Sequence, residues 1–299
     1  MLNIHITVAD HGRSVESFLR NMLPGASSAY LKKLLRSGHL TLNGSTVLSD
    51  AVLRRNDTVN LKESVRTLSF LGATHPDIDI LYEDNRIVVV NKPAGLAMHR
   101  TAEFGEQNLV ELAQEFMRWR GDVCNLRPVN RLDRGTSGAV ILAKSSMSAG
   151  MFGRLVKEDG LGKLYLALVG GAVPGSGAVF EPLDGKESET RYRRLATLEE
   201  VSLLALYPVT GRMHQIRRHL QAIGHPVLGD QRYGGSSLPD WQGHALHSFR
   251  TSLIHPESGI LLSIIAPLTA NFITFLTNSA GDDASSLLDS LLKLPMLLE

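Results

Sequence analysis

Cysteine is almost absent from this chain of 299 residues. The single Cys124 excludes an intramolecular disulfide and leaves no zinc site built from several cysteines. His214 and His219 stand five positions apart with no glutamate between them, whereas a helical zinc site needs two histidines four apart. We therefore expect no bound metal, and the cysteine usage suits a reducing cytoplasm.

Long apolar runs and a large net charge are also missing. The most apolar stretch, 260–277, is interrupted by Ser263, Pro267 and Asn271, which is typical of a strand, a turn and a helix rather than of a membrane span. The first residues alternate polar with apolar, which predicts a strand and not a secretion signal. A formal net charge of +1 gives no overall attraction to nucleic acid, so any RNA binding must come from local basic clusters.

The residues that are present indicate a folded α+β protein. With 43% hydrophobic and 20% charged residues, the chain can bury a sizeable core. Stretches typical of strands, such as GAVILA, alternate with helical stretches such as HQIRRHLQAIG. We expect an N-terminal domain at 1–64, a linker at 65–77, a second domain at 78–280 and a helical tail at 281–299. The tail is expected to pack on the domain or on a partner.

The N-terminal domain carries a helix with one basic face. In SSAYLKKLLRSG a serine can cap the helix, and Gly38 is placed to end it. Leucines share one face, and the opposite face carries Lys32, Lys33 and Arg36. The Asn43-Gly44 pair between apolar segments predicts a tight hairpin turn. The basic face either binds RNA phosphates and orients the second domain, or is only solvated.

The segment RLDRGTSG, at 131–138, places Asp133 in a polar, glycine-containing loop directly before the strand GAVILA. Such a loop at the end of a strand can expose a carboxylate to a substrate. The same pattern also suits a surface ion pair or an aspartate that caps a turn. Asp133 is therefore a candidate that the segment alone does not decide.

A second candidate segment is GRMHQIRRHL, which predicts a helix with Met213, Ile216 and Leu220 on its apolar face. Arg217 lies at the edge of that face, and Arg218 points roughly opposite. A guanidinium at this edge suits pairing with a partly buried carboxylate, because a nearby positive charge favours the ionised form. Asp133 is the natural partner, and the alternative is a purely structural salt bridge.

Two further segments have an alternative structural explanation. In the strand KLYLALV, Tyr165 is either a core residue or a platform that stacks on an extruded base. In VVVNKPAGL, a strand enters a Pro/Gly turn that carries Asn91 and Lys92. This turn supports the floor of an active site or is a plain structural turn.

Taken in order, NKPAGLAMH, RLDRGTSG, KLYLALV and GRMHQIRRHLQAIGHPVLGDQRYG resemble the motif series of the RluA-type pseudouridine synthase family, over about residues 78–275. The N-terminal domain resembles the alpha-L RNA-binding module. The resemblance implies a mixed, mainly antiparallel sheet with flanking helices and a catalytic cleft, and neither a cofactor nor a metal. It also implies RNA as the partner. The alpha-L module favours large-subunit ribosomal RNA, with transfer RNA as the open alternative, and the sequence indicates no obligate protein partner.

The resemblance also implies roles for individual residues. Asp133 would be the catalytic carboxylate acting on a flipped uridine, although attack on the ribose, attack on the base and proton removal all stay open. Tyr165 would pack against the target base, Arg217 would pair with Asp133, and Arg131 would fill the gap that the flipped base leaves. The wider set of substrate-binding candidates consists of Arg131, Arg134, Asn91, Lys92, His214, Gln215 and Arg218.

The chain departs from the commonest family pattern at Asn130, where a histidine usually stands, and at Arg100, where a proline often stands. These departures leave the chemistry intact and leave the target uridine open. One rival hypothesis is a non-catalytic RNA-binding protein. Another is a hydrolase with paired carboxylates, for which Asp230 is the nearest second acid. We expect Asp230 to be structural.

Overall fold

The computed structural model describes residues 2–6, 10–70, 78–99, 107–119, 122, 124–158 and 160–295. Arg100, residues 71–77 of the predicted linker and the last four residues of the tail lie outside this description. The described residues form two units, each with its own sheet and its own apolar core.

The N-terminal unit is a four-stranded antiparallel sheet packed against helices. Its elements are β1 (Leu2–His5), α1 (Val15–Met22), α2 (Ser28–Arg36), β2 (Leu40–Leu42), β3 (Ser45–Thr46) and β4 (Thr58–Leu61). The strand order is β1-β4-β2-β3. Asn43 and Gly44 adopt φ angles of 52° and 80°, as a tight hairpin turn requires. The leucines of α2 enter the core of this unit, and its basic residues are exposed, as the pattern predicted.

The predicted linker begins with a short helix, which the sequence pattern does not indicate. This helix, α3, spans Val65–Phe70. It is held by Tyr30 of α2, whose hydroxyl lies 2.9 Å from the Thr67 hydroxyl and whose ring packs edge-on against Phe70. Contacts between distant segments stabilise such a helix without leaving a periodic signal in its own sequence.

The second unit is built on a ten-stranded sheet. Its strands are β5 (Ile80–Glu83), β6 (Ile87–Lys92), β7 (Arg127–Pro128), β8 (Ser137–Ala143), β9 (Gly162–Gly170), β10 (Ser176–Val179), β11 (Thr190–Leu198), β12 (Val201–Pro208), β13 (Leu246–Ile254) and β14 (Leu261–Ile265). The main order is β10-β11-β12-β9-β13-β8-β6-β5, with β14 on β13 and β7 on β8. Of these described strands, only β13 and β8 pair in parallel. The expected α+β fold with a mixed, mainly antiparallel sheet is confirmed.

Helices cover both faces of this sheet, which explains the unbroken apolar run in β6. The helices are α4 (Leu109–Trp119), α5 (Ser146–Glu158), α6 (Gln215–Ala222), α7 (Ala270–Ala280) and α8 (Ala284–Leu292). Val88 and Val90 enter the larger core, to which α4, α6, α7 and α8 contribute, whereas Ile87 and Val89 enter a second core with Phe152 of α5. Alternate residues of a strand point to opposite faces, so a strand covered on both sides is apolar throughout.

The leucine-rich tail packs on the second unit as far as residue 295. Leu291 and Leu294 are buried in its larger core. The Arg250 guanidinium donates to the carbonyls of Leu292 and Leu294, both at 2.6 Å, at the end of α8. Among the described residues, no helix has both the length and the apolar character needed to cross a membrane.

Candidate active site

A cleft of about 490 Å³ opens where three segments of the second unit meet. They are the loop before β8, the start of β9, and the chain from the end of β12 into α6. Among the described lining residues, Asp133 is the only carboxylate. The basic residues of the lining are Arg131, Lys163, Arg212 and Arg217. The charged side chains of the lining are therefore mostly basic, which suits a polyanionic substrate.

The loop that carries Asp133 is anchored on both sides of the aspartate. Before it, Leu132 is buried in the larger core, and the Asn130 side chain accepts a hydrogen bond from Ile141 N–H at 2.8 Å. After it, the Thr136 N–H donates to the Asp133 carbonyl at 3.1 Å. At the position where the resembled family usually has a histidine, an amide thus ties the loop to β8. The Asp133 side chain remains 27% exposed.

Close approach of β8 to β13 depends on Gly138. This glycine has φ +115°, and a Cβ on it would lie 2.3 Å from the Ser248 carbonyl oxygen. Its residue pair, Gly138 with Ser248, is one of two in the parallel ladder. Any side chain here would separate the strands directly beneath the Asp133 loop.

Two buried histidines bind the hydroxyls that come after the Asp133 loop. His244 Nε2 lies 2.8 Å from the Thr136 hydroxyl, and His247 Nδ1 lies 2.9 Å from the Ser137 hydroxyl. Burial lowers the pKa of each histidine to about 4, so both are neutral near pH 7. They act as neutral hydrogen-bonding groups that hold the loop in place.

Lys92 lies under the loop and does not reach the cleft. Its side chain is fully buried, and Nζ donates to the carbonyls of Pro93, Leu96 and Arg134 at 2.9, 2.7 and 3.0 Å. Three engaged N–H groups require the ammonium form. Burial lowers the pKa of Lys92 to about 7, against the attraction of Asp133. Lys92 joins the Pro/Gly turn to the Asp133 loop, so it is placed to support the site rather than to contact a substrate.

One guanidinium joins two carboxylates at the bottom of the cleft. Arg217 Nη1 donates to Asp133 Oδ2 at 2.8 Å, while Nε and Nη2 donate to Asp230 at 2.6 and 2.8 Å. The exposed fractions of the side chains are 27% for Asp133, 8% for Arg217 and 2% for Asp230. Burial alone would raise the pKa of Asp230, but the hydrogen bonds and charge of Arg217 outweigh it, and that pKa is lowered. Arg217 thus binds both carboxylates, and it keeps the pKa of the buried Asp230 low.

The segment LGDQRYG folds back onto α6 and holds Arg217 from a second side. Asp230 precedes a 3-10 turn at Gln231–Tyr233. The Arg217 guanidinium lies over the Tyr233 ring, 4.9 Å from its centroid. The Tyr233 hydroxyl in turn lies 2.9 Å from His214 Nδ1. Asp230 was expected to be structural, and the structure places it in direct contact with the predicted partner of Asp133.

Helix α6 begins four residues later than the sequence predicted. His214 has φ 52° and ψ 25°, a left-handed conformation that ends the preceding loop, and Met213 is exposed instead of lying on the apolar face. The buried Gln215 side chain accepts from the Thr210 hydroxyl and Arg212 N–H and donates to the Thr190 hydroxyl of β11. The hydrogen bonds of this amide hold 210–214 as a loop, which the helical spacing could not reveal. Gln215 lines the cleft with its amide already engaged.

Tyr165 and Lys163 share the face of β9 that forms one wall of the cleft. Tyr165 is 8% exposed, and burial together with the Asp133 charge raises the pKa of its phenol to about 12. It is therefore a neutral hydrogen-bond donor near pH 7. Lys163 precedes it by two residues, which is the spacing that puts two side chains on one face of a strand. The sequence analysis did not select Lys163, although this spacing from Tyr165 was a signal that could have found it.

The structure brings together some of the predicted residues and separates others. Asp133, Tyr165, Arg217, Arg131, His214 and Gln215 all line the cleft. Four predicted substrate-binding residues do not line it: Lys92 is beneath the loop, Asn91 donates to Asp79, Arg134 donates to the Gly95 carbonyl, and Arg218 pairs with Asp184. Lys32, Lys33 and Arg36 line a separate shallow surface on α2.

The distribution of the motif residues on the elements accounts for this separation. Successive helical positions point about 100° apart, so Arg217 turns inward to the carboxylates while Arg218 reaches the surface.

His214 Nε2 lies 3.8 Å from Asp133 Oδ1, at the edge of ion-pair distance. Burial lowers the pKa of His214 despite that carboxylate, which favours its neutral form. No three His, Cys, Asp or Glu side chains among the described residues are grouped as a metal site.

Comparison with known proteins identifies relatives that cover about nine tenths of the chain. A family model described as RNA pseudouridylate synthase matches residues 86–222. The uncharacterized RNA pseudouridine synthase YhcT of Bacillus subtilis strain 168 is 30% identical over 288 residues, covering 90% of this chain and 94% of the relative. Ribosomal large subunit pseudouridine synthase C of Escherichia coli strain K12 is 31% identical over 300 residues, covering 89% and 92%.

Solved structures show the same fold. Human RNA pseudouridylate synthase domain containing 4 aligns with a TM-score of 0.57 at 24% identity, covering 68% of this chain and 93% of the human chain. Human RNA pseudouridylate synthase domain containing 1 aligns with a TM-score of 0.53, also at 24% identity, covering 75% and 98%. At this identity the likeness concerns the fold alone.

Proposed function

The chain belongs to the RluA-type family of RNA pseudouridine synthases, isomerases that act on RNA, and from this membership we propose that Asp133 is its catalytic carboxylate and large-subunit ribosomal RNA its substrate. The observation that carries the proposal is the position of Asp133 on Arg217. Of the two carboxylates that Arg217 binds, Asp133 alone opens to the cleft, because Asp230 is only 2% exposed. A carboxylate that a guanidinium holds by a hydrogen bond is fixed in position at the cleft, where it can act on a bound substrate.

The reaction breaks the bond between N1 of uracil and C1′ of the ribose. The freed base rotates, C5 bonds to C1′, and the hydrogen on C5 is lost to solvent while N1 gains a proton, so the product is an isomer of the substrate. Asp133 acts on the flipped uridine, and attack on the ribose, attack on the base and proton removal are all compatible with its position. The guanidinium of Arg217 holds one Asp133 oxygen and leaves the other for the substrate.

Tyr165 and Arg131 complete the proposed site. The neutral Tyr165 phenol would pack against the target base and donate a hydrogen bond to it. Arg131 is exposed at the cleft and forms no hydrogen bond or ion pair with the residues that the structure describes. It is therefore available to fill the space that the flipped base leaves, which would offset part of an unstacking cost of about a few kcal/mol.

The assignment to large-subunit ribosomal RNA has two supports. The relative from Escherichia coli is named for the ribosomal large subunit and aligns along 92% of its own length. The exposed basic face of α2, with Lys32, Lys33 and Arg36, can supply phosphate contacts that orient the second unit without reading sequence. Action on this RNA, together with the cysteine usage, is consistent with a cytoplasmic enzyme.

Pseudouridine mapping tests both parts of the proposal. The wild-type protein, Asp133→Asn and the surface control Asp289→Asn would each be incubated with unmodified ribosomal and transfer RNA. Carbodiimide treatment and primer extension then locate pseudouridine. We expect new stops in large-subunit ribosomal RNA with the wild type and the control, and none with Asp133→Asn. Stops only in transfer RNA would overturn the substrate, and stops with Asp133→Asn would overturn the catalytic assignment.

A further inference from the structure

Lys163 is a basic residue of the cleft that has no partner among the described residues. It lies on β9, two residues before Tyr165, and lines the same cleft as Asp133. Its Nζ lies 3.6 Å from the point where a Cβ on Gly211 would stand, so the amine reaches across to the loop before α6. Neither a hydrogen-bond acceptor nor a carboxylate from the described part of the chain contacts it.

The other buried lysine of this region provides the contrast. Burial lowers the pKa of both Lys92 and Lys163. Lys92 directs all three N–H groups to carbonyl oxygens, as a structural lysine does. Lys163 has no such acceptors in the described part of the chain, and it is a partly exposed residue of the cleft lining. A half-buried ammonium without acceptors is unfavourable by itself, and groups of this kind concentrate at binding sites.

The chemistry of the cleft limits what this amine can bind. Asp133, the only carboxylate of the described lining, already pairs with Arg217. Two residues along a strand separate Lys163 from Tyr165 by about 7 Å. This separation is comparable to that between the base and the phosphate of one nucleotide. If Tyr165 packs on the target base, the anion that comes within reach of Lys163 is a phosphate of the RNA backbone.

We propose that Lys163 binds a backbone phosphate flanking the target uridine. This inference rests on the proposed function of the cleft and adds a substrate-binding residue to it. The contact fixes the flipped nucleotide at both ends, with the base at Tyr165 and the phosphate at Lys163. Lys163 then contributes mainly to substrate binding, and the chemical step is left to Asp133.

The first test compares Lys163→Met with Lys163→Arg and with the exposed control Lys293→Met, which removes the same charge outside the cleft. Loss of one charge-assisted hydrogen bond should raise KM about tenfold to a hundredfold and change kcat little. The dependence of log KM on log salt should become shallower by about 0.7, as for one lost phosphate contact. Lys163→Arg should keep most of the affinity, and Lys293→Met should resemble the wild type.

The second test changes the RNA instead of the protein. Once the target uridine is mapped, neutral methylphosphonate replaces the phosphate on its 5′ side or on its 3′ side. At one of these positions the change should weaken binding to the wild type by a similar factor and have almost no effect on Lys163→Met. Equal losses with both proteins at both positions, or a fall in kcat with KM and salt dependence unchanged, would overturn the inference. Absence of pseudouridine with the wild type would instead overturn the proposed function.

Discussion

The variants Arg217→Met and Asp230→Asn, each alone and both together, measure how strongly the buried pair of Arg217 and Asp230 is coupled. Arg217→Met leaves the Asp230 carboxylate 2% exposed and without its guanidinium, which should cost about 3–5 kcal/mol of unfolding free energy. Asp230→Asn should cost less, about 1.5–3 kcal/mol, because Arg217 keeps its bond to Asp133. In the double variant no buried charge is left unpaired, so its loss should be smaller than the sum of the two by about 2–3 kcal/mol.

Urea unfolding followed by tryptophan fluorescence suits this cycle. Both tryptophans of the chain, Trp119 and Trp241, belong to the second unit, and Trp241 packs edge-on against Phe272 and Phe275. The signal therefore reports on the unit that contains the pair, apart from any transition of the N-terminal unit. Asp289→Asn serves as the control for loss of a surface carboxylate. If the losses of the two single variants add up to the loss of the double variant within about 0.5 kcal/mol, the coupling of Asp230 to Arg217 is refuted.

Three further changes test the support of the Asp133 loop. Lys92→Met removes three hydrogen bonds to carbonyls, so it should lower the free energy of unfolding in urea by about 2 kcal/mol. It should also lower kcat, with a smaller change in KM. Gly138→Ala should cost more than about 3 kcal/mol by the same measurement, whereas Gly150→Ala, inside α5 with open space around it, should be neutral or slightly stabilising. His247 has a pKa of about 4 in the folded chain and 6.5 when unfolded, so the unfolded state binds more protons between these values. The contribution of His247 to the free energy of unfolding is therefore complete above pH 6.5 and is lost as the pH falls towards 4, by on the order of 3 kcal/mol. His247→Gln should make thermal unfolding less dependent on pH. An unchanged pH dependence in that variant would contradict the buried neutral histidine.

The features predictable from sequence were those that a local pattern encodes. Periodicity in the sequence predicted strands such as β8 and β9 and the amphipathic helix α2. The turn at Asn43-Gly44 was predictable because few residue pairs accept its dihedral angles. The proximity of Asp133 and Arg217 was predicted from the amphipathic edge of α6, together with the family resemblance. The strands, the helices and the turn depend on residues close together in the chain, whereas the pairing of Asp133 with Arg217, 84 residues apart, also needed the family resemblance.

The features that were missed depend on contacts between distant segments. The two bonds from Arg217 to Asp230 form only because LGDQRYG folds back onto α6. The burial of Lys92 depends on a carbonyl 42 residues away as well as on its own turn. The late start of α6 results from hydrogen bonds between the Gln215 side chain and both the preceding loop and β11. Spacing within a motif carries no information about such partners.

Release of tritium from RNA labelled at C5 of uridine tests the central assignment most directly, because C5 loses its hydrogen when it bonds to the ribose. Single-turnover release would be measured for the wild type and Asp133→Asn, with RNA affinity determined in parallel. If Asp133 is the catalytic carboxylate, the variant should bind RNA within a fewfold of the wild type and release tritium at least about a thousandfold more slowly. Release at a rate near that of the wild type would show that another group performs the chemistry.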